Sequence, residues 1–227
     1  MKIAIILTGH VRHSLNHQNL LNIINKIKNL GECDIYVCTS NKKEHSTITW
    51  YNTDHILQKE ILTAEEIDNF IKYKKLHIYD EPNYSQEIKN ILWAKSPLSF
   101  VGVKNFYISI QKCIDMLDRE YDFVFRLRFD YHKFDYANYT NDIIKVIKNF
   151  NNFNNKIFYS VKVKNARGED SFFFSSKENF NKIIKYILDN FKEIENFGKN
   201  VNYYFMPEDL IKYSCEKQQI KYISIGT

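Results

Sequence analysis

The segment Tyr121–Phe134, YDFVFRLRFDYHKF, constrains this chain more than any other. Phe123, Phe125, Leu127, Phe129 and Tyr131 alternate with Val124, Arg126, Arg128, Asp130 and His132. Strand side chains repeat every two residues, so the pattern predicts a strand with one aromatic face and one charged face. The aromatic face is an ordinary core face. Two arginines and a carboxylate on the other are too costly to bury without partners. A strand ending Arg-x-Arg-x-Asp therefore needs a structural charge network or a polyanionic ligand. In open α/β sheets ligands bind at the carboxyl ends of strands, which directs the search for chemistry to that end.

The rest of the chain supplies such a sheet. Lys2–Thr8 is a continuous apolar run, the pattern of a buried parallel strand. Asn16–Leu30 has helical apolar spacing and stops at Gly31, and Cys33–Thr39 is a second strand, so the first 40 residues read as a βαβ unit. Thr63 to Glu66 is a capping box opening a helix to about Lys74. Leu76–Tyr79 is a short strand, and Phe100–Glu120 is a long amphipathic helix feeding the Arg-rich strand. A helix at Asn141–Phe150 follows, then strands at Lys156–Val163 and Ser171–Ser175. A helix at Lys177–Phe191, another opening at Pro207 and a last strand at Lys221–Ser224 complete the pattern. This is an α/β chain with a mostly parallel central sheet flanked by helices, read as a single domain over 1–227.

Composition narrows the partners. The chain has 32 Lys and Arg against 27 Asp and Glu, a net charge of +5 spread along its length. A nucleic-acid binder gathers its basic residues into a stripe, so nucleic acid is not expected. An anionic small ligand and an anionic membrane surface fit equally well. Cys33, Cys38, Cys113 and Cys215 show no metal or disulfide spacing, and most sit among apolar neighbours as small core residues. The apolar N-terminal run is shorter than a signal-peptide core, and no segment has the length of a membrane span. The expected location is cytoplasmic, with peripheral membrane association allowed.

Four constellations carry candidate chemistry. Thr8-Gly9-His10-Val11-Arg12 ends the first strand; a glycine there lets backbone approach a ligand, and Arg12 can reach a phosphate. It is neither GxGxxG nor a P-loop, and it also suits a plain β–α turn. In Arg126-x-Arg128-x-Asp130-x-His132, Asp130 at the strand end can hold a divalent cation, with His132 as a second ligand; a structural Arg–Asp pair is the alternative. Arg167-Gly168-Glu169-Asp170 precedes an aromatic strand, and its acids suit a general base or a solvated turn. Glu208 follows Pro207 at a helix start, where helix capping alone also explains it.

Taken together, these residues resemble a known family. The shared features are Gly9-His10-Val11-Arg12 after an apolar strand, Asp34-Ile35-Tyr36-Val37, Arg126 to Asp130, the acidic loop before the aromatic strand, and the Pro-Glu helix start. The combination resembles the small GT-A-like glycosyltransferases of bacterial surface-polysaccharide loci, including the WavE-like lipopolysaccharide-synthesis group. The resemblance implies a single GT-A-like, Rossmann-related domain with a nucleotide-binding half at 1–134 and an acceptor-side half at 135–227. It implies transfer of a sugar from a nucleotide-diphosphate donor to a capsular or lipooligosaccharide glycan, free or lipid-linked. GT-A enzymes hold Mn²⁺ or Mg²⁺ with an Asp-x-Asp motif. Arg128 stands where the first Asp of that motif would be, and an arginine can itself neutralise a diphosphate leaving group.

The implied roles follow. Thr8, Gly9, Arg12, Arg126 and Asp130 are nucleotide-binding; Arg126 orients Arg128 and Asp130 from beneath and, lying deeper on the strand, is a buried support with a carboxylate partner, while Arg128 meets ligand. Asp130 and His132 are metal ligands, and Arg128, Asp170 and Glu208 are catalytic. Two other readings stay open: a phosphoryl or nucleotidyl transferase using the same cationic pocket, and a non-catalytic anion-binding partner in polysaccharide assembly.

Overall fold

The computed structural model describes residues 1–11, 14–16, 18–43, 60–80, 100–129, 141, 144–145, 147–148, 157–161, 172–200 and 207–225. The strands are β1 Lys2–Thr8, β2 Glu32–Ser40, β3 Lys75–Tyr79, β4 Phe123–Arg128, β5 Ile157–Val161, β6 Phe172–Ser175 and β7 Lys221–Ile225. The helices are α1 Gln18–Lys28, α2 Ala64–Phe70, α3 Phe100–Asp115, α4 Lys177–Asp189, α5 Phe191–Asn200 and α6 Pro207–Lys217. The strands form one seven-stranded sheet in the order β3-β2-β1-β4-β6-β5-β7. Only β6 runs against its neighbours, pairing antiparallel with β4 and β5; the other pairings are parallel. The sheet is therefore mostly parallel, as the apolar runs predict. It continues unbroken from β4 into β6, β5 and β7, across the expected boundary at 134/135.

Two apolar cores cover the two faces. On one, Ile3, Ile5 and Leu7 of β1 and Phe123, Phe125 and Leu127 of β4 pack under α1 and α2. Phe125 stacks on Phe174, its cross-strand neighbour, with centroids 4.8 Å apart. On the other, Ala4, Ile6, Tyr36, Cys38, Val124 and Phe173 pack under α3, α4 and α6. Burial on both sides explains why β1 reads as a continuous apolar run instead of an alternating one. Cys38, Cys113 and Cys215 are buried and free, as their apolar neighbours predict.

Two helices end earlier than their apolar periodicity extends, because tertiary pairing takes the chain. The capping box forms as expected: Glu66 N donates to Thr63 Oγ1, and Thr63 N donates to Glu66 Oε2. The helix then stops at Phe70 rather than near Lys74, and Lys74 N donates to the Ile35 carbonyl at 2.7 Å as the chain enters β3. Likewise α3 stops at Asp115, not Glu120. The residues beyond it reach the amino edge of the sheet, where Asp122 N donates to the Lys2 carbonyl.

That amino edge is closed by a charge and hydroxyl network. Tyr121 Oη donates to Asp34 Oδ2 at 2.6 Å, and Tyr36 Oη donates to Asp118 Oδ1 at 2.7 Å. Lys74 bridges both carboxylates, at 3.0 and 2.9 Å, and Arg119 pairs with Asp34 and Glu32. Both aspartates are held below the ordinary carboxylate range. At Asp34 partial burial pushes the other way and is outweighed by Tyr121, Lys74 and Arg119; at Asp118 the Lys74 bond leads, with Tyr36 next. On the edge strand, burial and the Lys112 ammonium, 3.1 Å from Nε2, lower the pKa of His77.

The signs agree. Each group has a folded pKa below its unfolded value, so the unfolded chain takes up protons first as pH falls. Stability should drop in two stages in urea titrations, below the His value of 6.5 and again below the Asp value of 3.8. His77→Gln should remove the first stage, and Lys74→Met should flatten the second. A single acid limb unchanged by both variants would contradict the network's role. Tyr121→Phe should cost about 1.5–3 kcal/mol at neutral pH, the range for a hydrogen bond to a charged group.

Candidate functional site at the carboxyl edge of the sheet

Parallel register brings the ends of β1, β2 and β4 side by side: Thr8 lies between Cys38 and Arg128. β1 then leaves the sheet through Gly9, whose φ of 98° is a conformation that L side chains rarely adopt. A Cβ placed on Gly9 would meet nothing within 4 Å, so backbone geometry, not crowding, demands glycine there. Thr39 Oγ1 donates to the Gly9 carbonyl at 2.8 Å. Val11 is fully buried in the core, and its carbonyl accepts from Ser14 N at 2.9 Å. The loop is thus pinned at both ends. At the end of β2, Asn41 Nδ2 donates to Asp80 Oδ1 at 2.7 Å, tying the ends of β2 and β3 together.

The two arginines of β4 occupy different environments on one face. Arg126 is completely buried, beside Ile6 on β1 and Phe173 on β6. Its Nε donates to Thr8 Oγ1 at 3.0 Å. Its guanidinium carbon lies 4.5 Å from the Phe106 ring centroid and 5.5 Å from that of Phe173. A hydroxyl and two ring faces thus meet it. The expected burial of Arg126 is observed, and Val124 is inside with it. The reason is that an aromatic face attracts a cation while remaining apolar, and guanidinium is less strongly hydrated than ammonium. Arg128, one pleat farther on, is half-buried at the strand end.

The structure brings Thr8, Gly9, Arg126 and Arg128 together. Thr8, like Arg126, is fully buried, whereas Gly9 faces open space. Arg12, Asp130, His132 and Asp170 lie outside the described residues, and Glu208 lies in the first turn of α6. Sequence reasoning did not single out Thr39, Asn41 or Asp80. The only signal was that each falls at a predicted strand end, visible once the strands are ordered.

No family model matches the sequence, and no curated protein matches it. In three dimensions the chain resembles 4-diphosphocytidyl-2C-methyl-D-erythritol synthase from Anaerococcus prevotii, with a TM-score of 0.51 and 10% identity over 99% of this chain and 89% of that one. CMP:2-keto-3-deoxy-manno-octonic acid synthetase complexed with CTP gives a TM-score of 0.44 and 8% identity over 100% of this chain and 91% of the other. Mouse xyloside xylosyltransferase 1 gives 0.46 and 6% over 99% and 85%. At such identities the first likeness is one of fold: a GT-A-like α/β sheet with flanking helices.

Three variants test the geometry. Gly9→Ala should destabilise by about 1–3 kcal/mol through backbone strain alone. Arg126→Met should lose about 2–4 kcal/mol, because it removes a charged hydrogen bond and two cation–ring contacts. Arg128→Met should lose clearly less than Arg126→Met. Equal melting temperatures for the two arginine variants would contradict the distinction between them.

Proposed function

We propose that the protein is a nucleotide-sugar-dependent glycosyltransferase that extends a bacterial surface glycan, as the resemblance to the surface-polysaccharide enzymes implies. The observation that carries the reading is the half-buried Arg128 at the carboxyl end of β4. It stands one strand from the positive-φ Gly9 turn, whose outer side is open. In this reading the donor lies over that edge. Backbone at Gly9 and the Arg12 guanidinium bind the nucleotide. Arg128 stabilises charge on the departing diphosphate, the main electrostatic task of sugar transfer, and does so best in a water-poor site. Asp130 and His132 are the residues that would hold Mn²⁺ or Mg²⁺, which would add cationic charge at the same diphosphate. Asp170 or Glu208 takes the acceptor's proton if the reaction inverts.

Residues 1–134 would serve the donor and 135–227 the acceptor, a glycan or lipid-linked glycan. Among the described residues no helix is long and apolar enough to cross a membrane. We place the reaction in the cytoplasm, at the inner membrane face when the acceptor is lipid-linked.

A second reading, nucleotidyl transfer, draws on the diphosphocytidyl product in the name of the Anaerococcus enzyme. The products separate the two readings. Sugar transfer releases a nucleoside diphosphate, whereas nucleotidyl transfer from a triphosphate releases pyrophosphate.

A thermal-shift screen with nucleoside diphosphates and nucleotide sugars, with and without Mn²⁺, tests the proposal. A ligand at a hundred times its Kd adds about 2.7 kcal/mol to the folded state, enough to read as a clear shift. Arg128→Met should fold and lose that shift. No response to any nucleotide, or an undiminished shift in the variant, would sink the reading.

A further inference from the structure

Arg126 meets three segments that lead to the carboxyl edge from different directions. It holds β1 through Thr8, the residue before Gly9. It lies against Phe106 of α3 and against Phe173 of β6. Arg128, the proposed diphosphate ligand, is two residues along the same strand. A buried guanidinium carries a desolvation cost that an apolar side chain of similar volume does not. The guanidinium also imposes a direction: Nε has a single hydrogen, and it points at Thr8.

We propose that Thr8 and Arg126 are positioning residues whose Nε–Oγ1 hydrogen bond fixes the Gly9–Val11 loop for donor binding, without either side chain touching the donor. Both are 0% exposed, so a ligand over the edge meets the loop and Arg128 before it meets them. The proposal rests on the reading of this edge as the donor site.

Thr8→Val keeps the shape and removes the acceptor; Thr8→Ser keeps the acceptor. Two measurements apply to each: amide hydrogen exchange across Leu7–Val11 in the ligand-free protein, and calorimetric affinity for UDP, CDP, GDP and ADP. Thr8→Val should speed exchange across Leu7–Val11 by about ten-fold while α1 and α3 keep their protection. It should also weaken the best nucleotide by a similar factor, and Thr8→Ser should restore both. Unchanged loop exchange in Thr8→Val overturns the positioning role, whatever the nucleotides do. So does faster exchange with undiminished affinity. If exchange responds but the parent protein binds none of the four nucleotides, the donor-site reading itself has failed.

Discussion

A guanidinium inside the central strands of a sheet must be met by something, and here it is met by a hydroxyl and two aromatic rings. Arg126 sits on β4 between β1 and β6, with Thr8 accepting from Nε and Phe106 and Phe173 presenting ring faces. Much follows from this arrangement. It fixes the end of β1 against β4 at the point where the chain turns out through Gly9. It seats α3 on the sheet through Phe106. It also separates two arginines that look equivalent in sequence, leaving Arg126 inside and Arg128 at the rim.

The two ends of the sheet are built differently. At the amino edge Asp34, Asp118, Lys74, Arg119 and two tyrosine hydroxyls satisfy one another. Such a network stabilises while its carboxylates stay ionised, and its charges are turned toward one another. At the carboxyl edge the chain instead places a glycine turn with open space outside it and a half-buried arginine. Parallel strands bring these groups together because every one of them points its carboxyl end the same way. In open sheets of this kind that is the end where ligands bind.

Much of the fold was legible in the amino-acid pattern, for stated reasons. The apolar run Lys2–Thr8 matches β1 because a strand buried on both faces has no room for polar alternation. Thr63 and Glu66 announced α2 because the capping box is local chemistry. What the pattern missed depends on distant residues. Helix α5, one residue after α4, goes unread because the amphipathic pattern is read as ending at Phe191. The early ends of α2 and α3 are set by pairing with β2 and β1, which no local signal records. The same holds for the site. The Gly9 turn and the rim position of Arg128 follow from strand alternation, whereas the ring-lined environment of Arg126 needs Phe106 and Phe173, tens of residues away on either side.

In the function proposed, the carboxyl edge is the ligand edge and the amino edge is a structural clamp. Backbone-amide NMR during titration with a nucleoside diphosphate tests it most directly, because both edges report in one spectrum. Shifts should concentrate at Gly9, His10, Asn41 and Arg128, with Lys2, Asp34, Asp118 and Tyr121 unmoved. Shifts centred on Asp34 and Tyr121, with Gly9 and Arg128 silent, would contradict it.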